Sequence, residues 1–592
     1  MEEIDVYLAK SHKIEAFLST FVFSPELLRV WYDLCSLVGQ KLLCINGVPD
    51  YSALGRYVAQ SFLAIFPAIL CNASVLESHI MSNFRLSTKA AAGLGLAFIL
   101  SAAQAAHAQL SFTVGTSVEG ARLASQNSLY GAPLIPPDTS IAVGTSQVIS
   151  YNNGRYLTYT KSGSLVQSQT DTSFWANNLQ TGDYLSDTRQ VFDAASGRYF
   201  VSAISIPKSG APNAFLLGVS KTDDILDGFN TYSIDANANG GNNFADYTQL
   251  GVNGNGIYLS SNNFNNTTGK YAFSNDVVAV DKAALLAGTV NSQLFVTSSA
   301  IDGFTSHPVI DLDGGKGPAF VLSDSSTSFD FTSNYLLSSV NKTATGFSYT
   351  DAGPGINNGT FYDGPNGADQ KGSAKRIDSG DTRLSGDVIQ RGGKIYSIQT
   401  VADPTSGKSD LHYAIIDAAS KTLITDGLIA DPNLNYYYGS LSVNKFGDIV
   451  VGMSGSGAPA GTFGGQYASA YTVVGKFDGT TAKFGTASVI QQGLGKYDTG
   501  SSSNPMDRIR WGDWSQTAVD PNDPYSFWTA QEYATGVTFA SGADQWAVRL
   551  VNINLTPVPE MSTFVSGGAG FLGLGLLLLT ARKRRRSVVT AE

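Results

Sequence analysis

The chain has 592 residues, a net charge of −10 and three cysteines. A chain this long can build a large core without disulfides, and its acidic balance excludes a nucleic-acid partner held by a basic footprint. All three cysteines, Cys35, Cys44 and Cys71, lie in the first 80 residues, so the remainder can hold no disulfide, no thiolate metal site and no cysteine nucleophile.

In chain order, the first recognisable element begins at Met81. Arg85 and Lys89 give a short basic segment, Ala90–Ala103 is apolar, and Ala106-His107-Ala108 precedes Gln109. A charged start, an apolar stretch and an A-x-A site in this order and at these lengths predict a signal peptide over 81–108, cut by signal peptidase between Ala108 and Gln109. Such a peptide opens a protein, so residues 1–80 are expected to be an upstream extension of the reading frame that is not translated. The competing reading is a genuine N-terminal extension that uses the apolar stretch Tyr57–Leu76, which Pro67 interrupts.

From 109 to 555 the composition changes to Gly, Ser, Asn, Thr, Asp and Tyr, with few basic residues. Turn pairs recur at Asn153-Gly154, Ser196-Gly197, Asn253-Gly254, Gly392-Gly393 and Pro521-Asn522-Asp523, between short β-rich runs. Seven hairpins are predicted. Their first strands end near Val143, Asp193, Val252, Asp311, Ile389, Val443 and Asp520. One hairpin cannot bury both faces, so neighbours must stack, and radial stacking protects the strand edges. The spacing predicts an all-β body, a seven-bladed β-propeller; an array of β-sandwiches is the alternative.

Several motifs of this body, Pro136-Pro137-Asp138-Thr139, Asp187-Thr188-Arg189, Ser196-Gly197-Arg198-Tyr199-Phe200, Arg510-Trp511-Gly512-Asp513-Trp514 and Phe527-Trp528-Thr529, resemble secreted bacterial propellers related in shape to sialidases. The resemblance implies a fold more than an activity. It makes Arg189, Arg383 and Arg510 candidates for gripping an anion at the axis, and Asp187-Thr188-Arg189 returns as Asp381-Thr382-Arg383. The plainer role for these arginines is to form salt bridges between blades. Glu532 could pair with Asp513 or Asp520 as glycosidase carboxylates, although carboxylates that cap turns are commoner. Trp511, Trp514, Trp528 and Tyr533 could stack on sugars or fill the core. Asp311-Leu312-Asp313-Gly314-Gly315 starts like a calcium loop, but its twelfth position is Leu322. A structural calcium held by turn carbonyls is the one ion left open, and no organic cofactor is implied.

The tail, 556–592, carries Thr556-Pro557-Val558-Pro559-Glu560, an apolar run from Phe564 to Ala581 and the cluster Arg582-Lys583-Arg584-Arg585-Arg586. The run is long enough to be a transmembrane helix, and the basic cluster would stay on the cytoplasmic side. This order resembles the PEP-CTERM signal of Gram-negative bacteria, with Met561 where a second proline is usual. The resemblance implies an exosortase-type enzyme acting near Pro559 and Glu560, and a stay in the inner membrane before release; an ordinary C-terminal anchor is the alternative. The whole chain thus reads as an exported cell-surface or extracellular protein. Its expected role is to bind extracellular polysaccharide, or to serve as a structural matrix component, without catalysis. The alternative is a secreted glycoside hydrolase of sialidase-like shape, and no nucleic-acid partner is expected.

Overall fold

The computed structural model describes residues 110–556, apart from 131–132, 181, 209–212, 237–241, 327–330, 459–464 and 500–507. The signal peptide with Ala108 and Gln109, and the tail with Pro559, Glu560 and its apolar run, lie outside the described residues. Among the described residues no helix is long and apolar enough to cross a membrane.

The body is all-β and folds as a propeller. Its strands form consecutive antiparallel meanders, and the innermost strands are 140–143, 184–193, 243–252, 304–308, 389–391, 435–443 and 516–520. These strands touch their neighbours in ring order, except that 304–308 is joined to 389–391 through 310–311, and 516–520 returns to touch 140–143. The ring is closed by hydrogen-bonded pairing of its first and last strands. Ser111–Arg122 is the outermost strand of the last sheet and pairs antiparallel with Asp544–Thr556, bringing Ser111 opposite Thr556. Each interface is apolar. Tyr151, Trp175 and Leu216 lie between the first two meanders, Val277 and Val321 between the third and fourth, and Phe527 and Val450 between the last two.

The expected count of seven separate blades is corrected. Five meanders stand as separate sheets of four or five strands, and the other two belong to one nine-stranded sheet. The cause is local to the fourth hairpin. There Pro308 pairs with Val321, but Ile310-Asp311 leaves the hairpin and pairs in parallel with Val252 on one side and Ile389 on the other. A strand of two residues thereby welds the third meander to the fifth. The other six predicted hairpins pair where the turn signals place them, as in Val143 with Val148 and Arg391 with Lys394. Gly392 and Gly393, both at positive φ, make the tight turn of that last hairpin without a Cβ penalty.

The weld requires close backbone approach. A Cβ on Gly251 would lie 2.7 Å from the carbonyl carbon of Pro308. Gly251→Ala must therefore push the third and fourth meanders apart, and we expect it to cost about 1–3 kcal/mol of unfolding free energy in urea titrations. Gly317→Ala, with nothing within 4 Å of its Cβ, should stay within about 0.5 kcal/mol of the parent. Equal midpoints for the two variants would rule out a tight weld.

Candidate functional site: the charged mouth of the axis

Five inner strands begin with the same distortion. Asp138, Asp187, Tyr247, Thr305 and Tyr438 all have φ between 47° and 59°. Each stands immediately before a small residue: Thr139, Thr188, Thr248, Ser306 or Gly439. Bulges interrupt the pairing there, between Ser186 and Arg189, Asp246 and Gln249, Phe304 and His307, and Tyr437 and Ser440. A bulge adds one unpaired residue and re-aims its side chain. Left-handed backbone at a non-glycine residue costs about 1–2 kcal/mol. Repetition of this conformation around one end of the axis marks that end as a built site.

The side chains gathered at the mouth are mostly charged. Arg383 forks onto Asp381, with Nε 2.8 Å from Oδ1 and Nη2 2.7 Å from Oδ2. Its guanidinium lies 4.3 Å from the centre of the Tyr247 ring. Arg510 donates from Nη2 to Asp513 (2.7 Å) and lies 3.7 Å from Asp378. The Tyr247 hydroxyl donates to the Asp513 carbonyl at 3.4 Å. Behind this pair of forks stand three carboxyls. Burial, reinforced by Asp513 and Asp187, holds Asp138 well above the usual carboxylate range. Its Oδ2 accepts from Asn153, and its Oδ1 is buried without a partner. Asp187 accepts from the Thr248 N–H and the Ser186 hydroxyl, yet burial, Asp246 and Asp513 push it up to about 7. Burial and Asp513 also raise Asp246, against the pull of Arg383 and Arg510.

Two of the expected ligand-binding residues lie behind this wall. The Arg189 side chain is 1% exposed. It stacks 3.8 Å over Trp514, donates to the carbonyls of Thr248 and Ser385, and faces Asp387 at 3.5 Å. Glu532 is also buried, its carboxyl held well up by burial and by Asp138, with Oε1 unpartnered. A Cβ on Gly512 would come within 3.2 Å of its Oε2, so a glycine lets the Trp511–Trp514 loop lie on it. Arg383, Arg510 and Asp513 reach solvent at the mouth, with side chains 22%, 32% and 19% exposed. The three arginines therefore form no free anion-binding triad: one is buried and the other two are closed by their own aspartates.

The remaining candidates separate in the same way. Asp520 lies at the other end of its strand and pairs with Lys161, so it cannot partner Glu532 as a catalytic carboxylate. Trp511, Trp514, Trp528 and Tyr533 are buried. Both oxygens of Asp311 accept from its own turn, at Asp313 N and Gly315 N, and Asp313 accepts from Gly392 N. Among the described residues no three His, Cys, Asp or Glu side chains converge to hold a metal. Asp138, Asp246, Asp378, Tyr247 and Tyr438 were not expected at a site. For Asp138, Tyr247 and Tyr438 the signal was their place directly before Thr139, Thr248 and Gly439, whereas Asp246 and Asp378 carry no such mark.

No family model and no curated protein matches the chain. Solved structures are similar only distantly. A Dyadobacter fermentans protein of unknown function is 9% identical over 64% of this chain and 96% of its own, with a TM-score of 0.35. An endo-arabinase from Bacteroides thetaiotaomicron is 11% identical over 62% and 100%, and a Bacillus subtilis arabinanase 15% identical over 49% and 97%, each with a TM-score of 0.28. Likeness this weak says nothing about chemistry.

Asp187 gives the mouth a pH signature. A carboxyl whose folded pKa is raised to about 7 stabilises the fold fully only below the unfolded value near 4, and that contribution is lost as pH rises from about 4 to about 7. Asp187→Asn should remove this part of the slope, leaving the variant relatively more stable at pH 8 than at pH 4 by roughly 1–3 kcal/mol compared with the parent. Parallel urea midpoints for both proteins across this range would show that Asp187 titrates normally.

Proposed function

We propose that the protein is an exported carbohydrate-binding β-propeller, sorted to the cell surface by its PEP-CTERM-like tail, whose ligand seat is the mouth of the axis. The observation that carries this reading is the convergence of Arg383–Asp381 and Arg510–Asp513 at the solvent-reaching end of the ring. Each fork sets guanidinium donors beside carboxylate acceptors on a fixed scaffold. That alternation of donor and acceptor matches vicinal hydroxyls of a sugar better than it matches a free anion. A second reading, a glycoside hydrolase, is favoured by Asp187: a carboxyl pushed to about 7 beside two further carboxyls has the protonation of a general acid.

A glycan array probed with the full-length protein tests the first reading. Saturable retention of a glycan is expected, and Arg383→Ala and Asp513→Ala should each weaken it by about thirtyfold or more, the size of a hot-spot loss. No retained glycan, or unchanged binding by both variants, would sink it. Release of reducing ends from a retained glycan, abolished in Asp187→Asn, would instead establish the hydrolase.

Export has its own test. The mature N-terminus should be Gln109, and Pro559→Ala with Glu560→Ala should leave an unprocessed, membrane-retained form. A cellular protein with residues upstream of Met81 would refute the start, and a surface protein intact to Glu592 would reduce the tail to an anchor.

A further inference from the structure

The opposite end of the axis holds a cavity of about 410 Å³. The final residues of the inner strands and the turns that follow them line it, with Val143, Val252, Ile310, Leu312 and Val519 as its apolar wall. It is separated from the charged mouth by the buried contacts among Arg189, Asp387 and Gln516.

Four carboxylates line the cavity, and each already has donors. Asp193 takes Lys282 and the Ser196 N–H, and Asp311 takes the N–H groups of Asp313 and Gly315. Asp313 takes Gly392 N, and Asp520 takes Lys161 and Asn522 N. The cations are less well served. Arg391 holds one long contact, Nη1 to Asp313 at 3.4 Å, while its Nε is buried without any partner. Lys445, exposed and also lining the cavity, has its ammonium 5.2 Å from the Phe446 ring and makes no ion pair among the described residues. Nε is sealed from the cavity, whereas Nη2 makes no hydrogen bond among the described residues and can take a charge-assisted one from a carboxylate.

We infer that this cavity is a binding site for a small monocarboxylate with an apolar body, its carboxylate on Arg391 and Lys445 and its body against Val143, Val252, Ile310 and Val519. The volume lies within the range of small-molecule sites, and apolar walls with a few placed polar groups are their usual construction.

Benzoate, with benzamide as its neutral isostere, tests this on the full-length protein by ligand-observed NMR titration. Benzoate should saturate, and benzamide should bind at least about tenfold more weakly, because it cannot form the charge-assisted pair. Arg391→Met should erase the difference between the two compounds. Lys445→Met changes an exposed side chain and so leaves packing alone; it should weaken benzoate about threefold without altering the thermal midpoint. Absence of saturation by benzoate, equal binding of the two compounds, or undiminished benzoate affinity in the variants would each overturn the assignment. Should Arg391→Met fail to fold, the affinity of Lys445→Met decides alone.

Discussion

The ring depends on one buried charge. Arg189 leaves the second meander and has no water to solvate it, so every donor it carries must be met by protein. Asp387, at the entry to the fifth meander, supplies the counter-charge, while carbonyls of Thr248 and Ser385 take two of the N–H groups. Asp387 is in turn held by Gln516 of the last meander, whose side chain also donates to the Gln190 carbonyl and accepts from the Ile141 N–H. Five meanders are thus hydrogen-bonded across the axis around a single ion pair. The apolar interfaces between neighbours are not directional; they hold adjacent sheets together but do not say which strands meet across the centre. A buried ion pair adds little net stability over an apolar substitute, but losing one partner costs about 3–5 kcal/mol, so misassembled rings are penalised.

The same knot shapes the electrostatics of the mouth. Trp514 packs against both Arg189, at 3.8 Å over its ring, and Tyr247, edge-on at 5.2 Å. Tyr247 in turn carries Arg383 on its ring. A cation, an aromatic, an aromatic and a cation therefore run from the buried centre to solvent. With the rings fixed, the two solvent-facing forks have little freedom left to lose when a ligand arrives, which is the condition for economical polar recognition. Cost appears elsewhere, in the backbone of Asp138, Asp187, Tyr247 and Tyr438 and in carboxyls whose charge burial disfavours.

Much of the fold was legible and much of the site was not, for a shared reason. Turn pairs such as Asn153-Gly154 and Gly392-Gly393 act locally, so hairpins could be placed from neighbouring residues alone. The weld at Ile310-Asp311 joins positions 58 and 79 residues apart, and no local pattern announces it. Among the site residues, Arg383 and Arg510 were legible because the sialidase-like resemblance asks for arginines at the axis and Asp187-Thr188-Arg189 returns as Asp381-Thr382-Arg383. Asp138 and Asp246 were missed because aspartate is common in its turns, and only the bulges separate the aspartates that face the axis from those that cap loops, such as Asp403 and Asp478. Arg189 and Glu532 were chosen for their chemistry, but depth is not written in residue type.

The two ends of the described residues meet at the closing seam. Because Ser111 pairs with Thr556 at the outer edge of the last sheet, both ends of the described residues leave from one place, three strands away from the axis. The axis itself is built from strands 140–143 through 516–520, whose contacts with one another do not involve that edge. Cleaving, anchoring or tethering the chain beyond either end therefore acts on the rim, whereas the mouth is held from within by Arg189. The ladder of the outer strand pair runs from Ser111–Thr556 to Arg122–Ala547 with two bulges and ties the first described segment to the last. Load applied at the ends of such an antiparallel pair is borne first at Ser111 and Thr556, the outer end of the ladder.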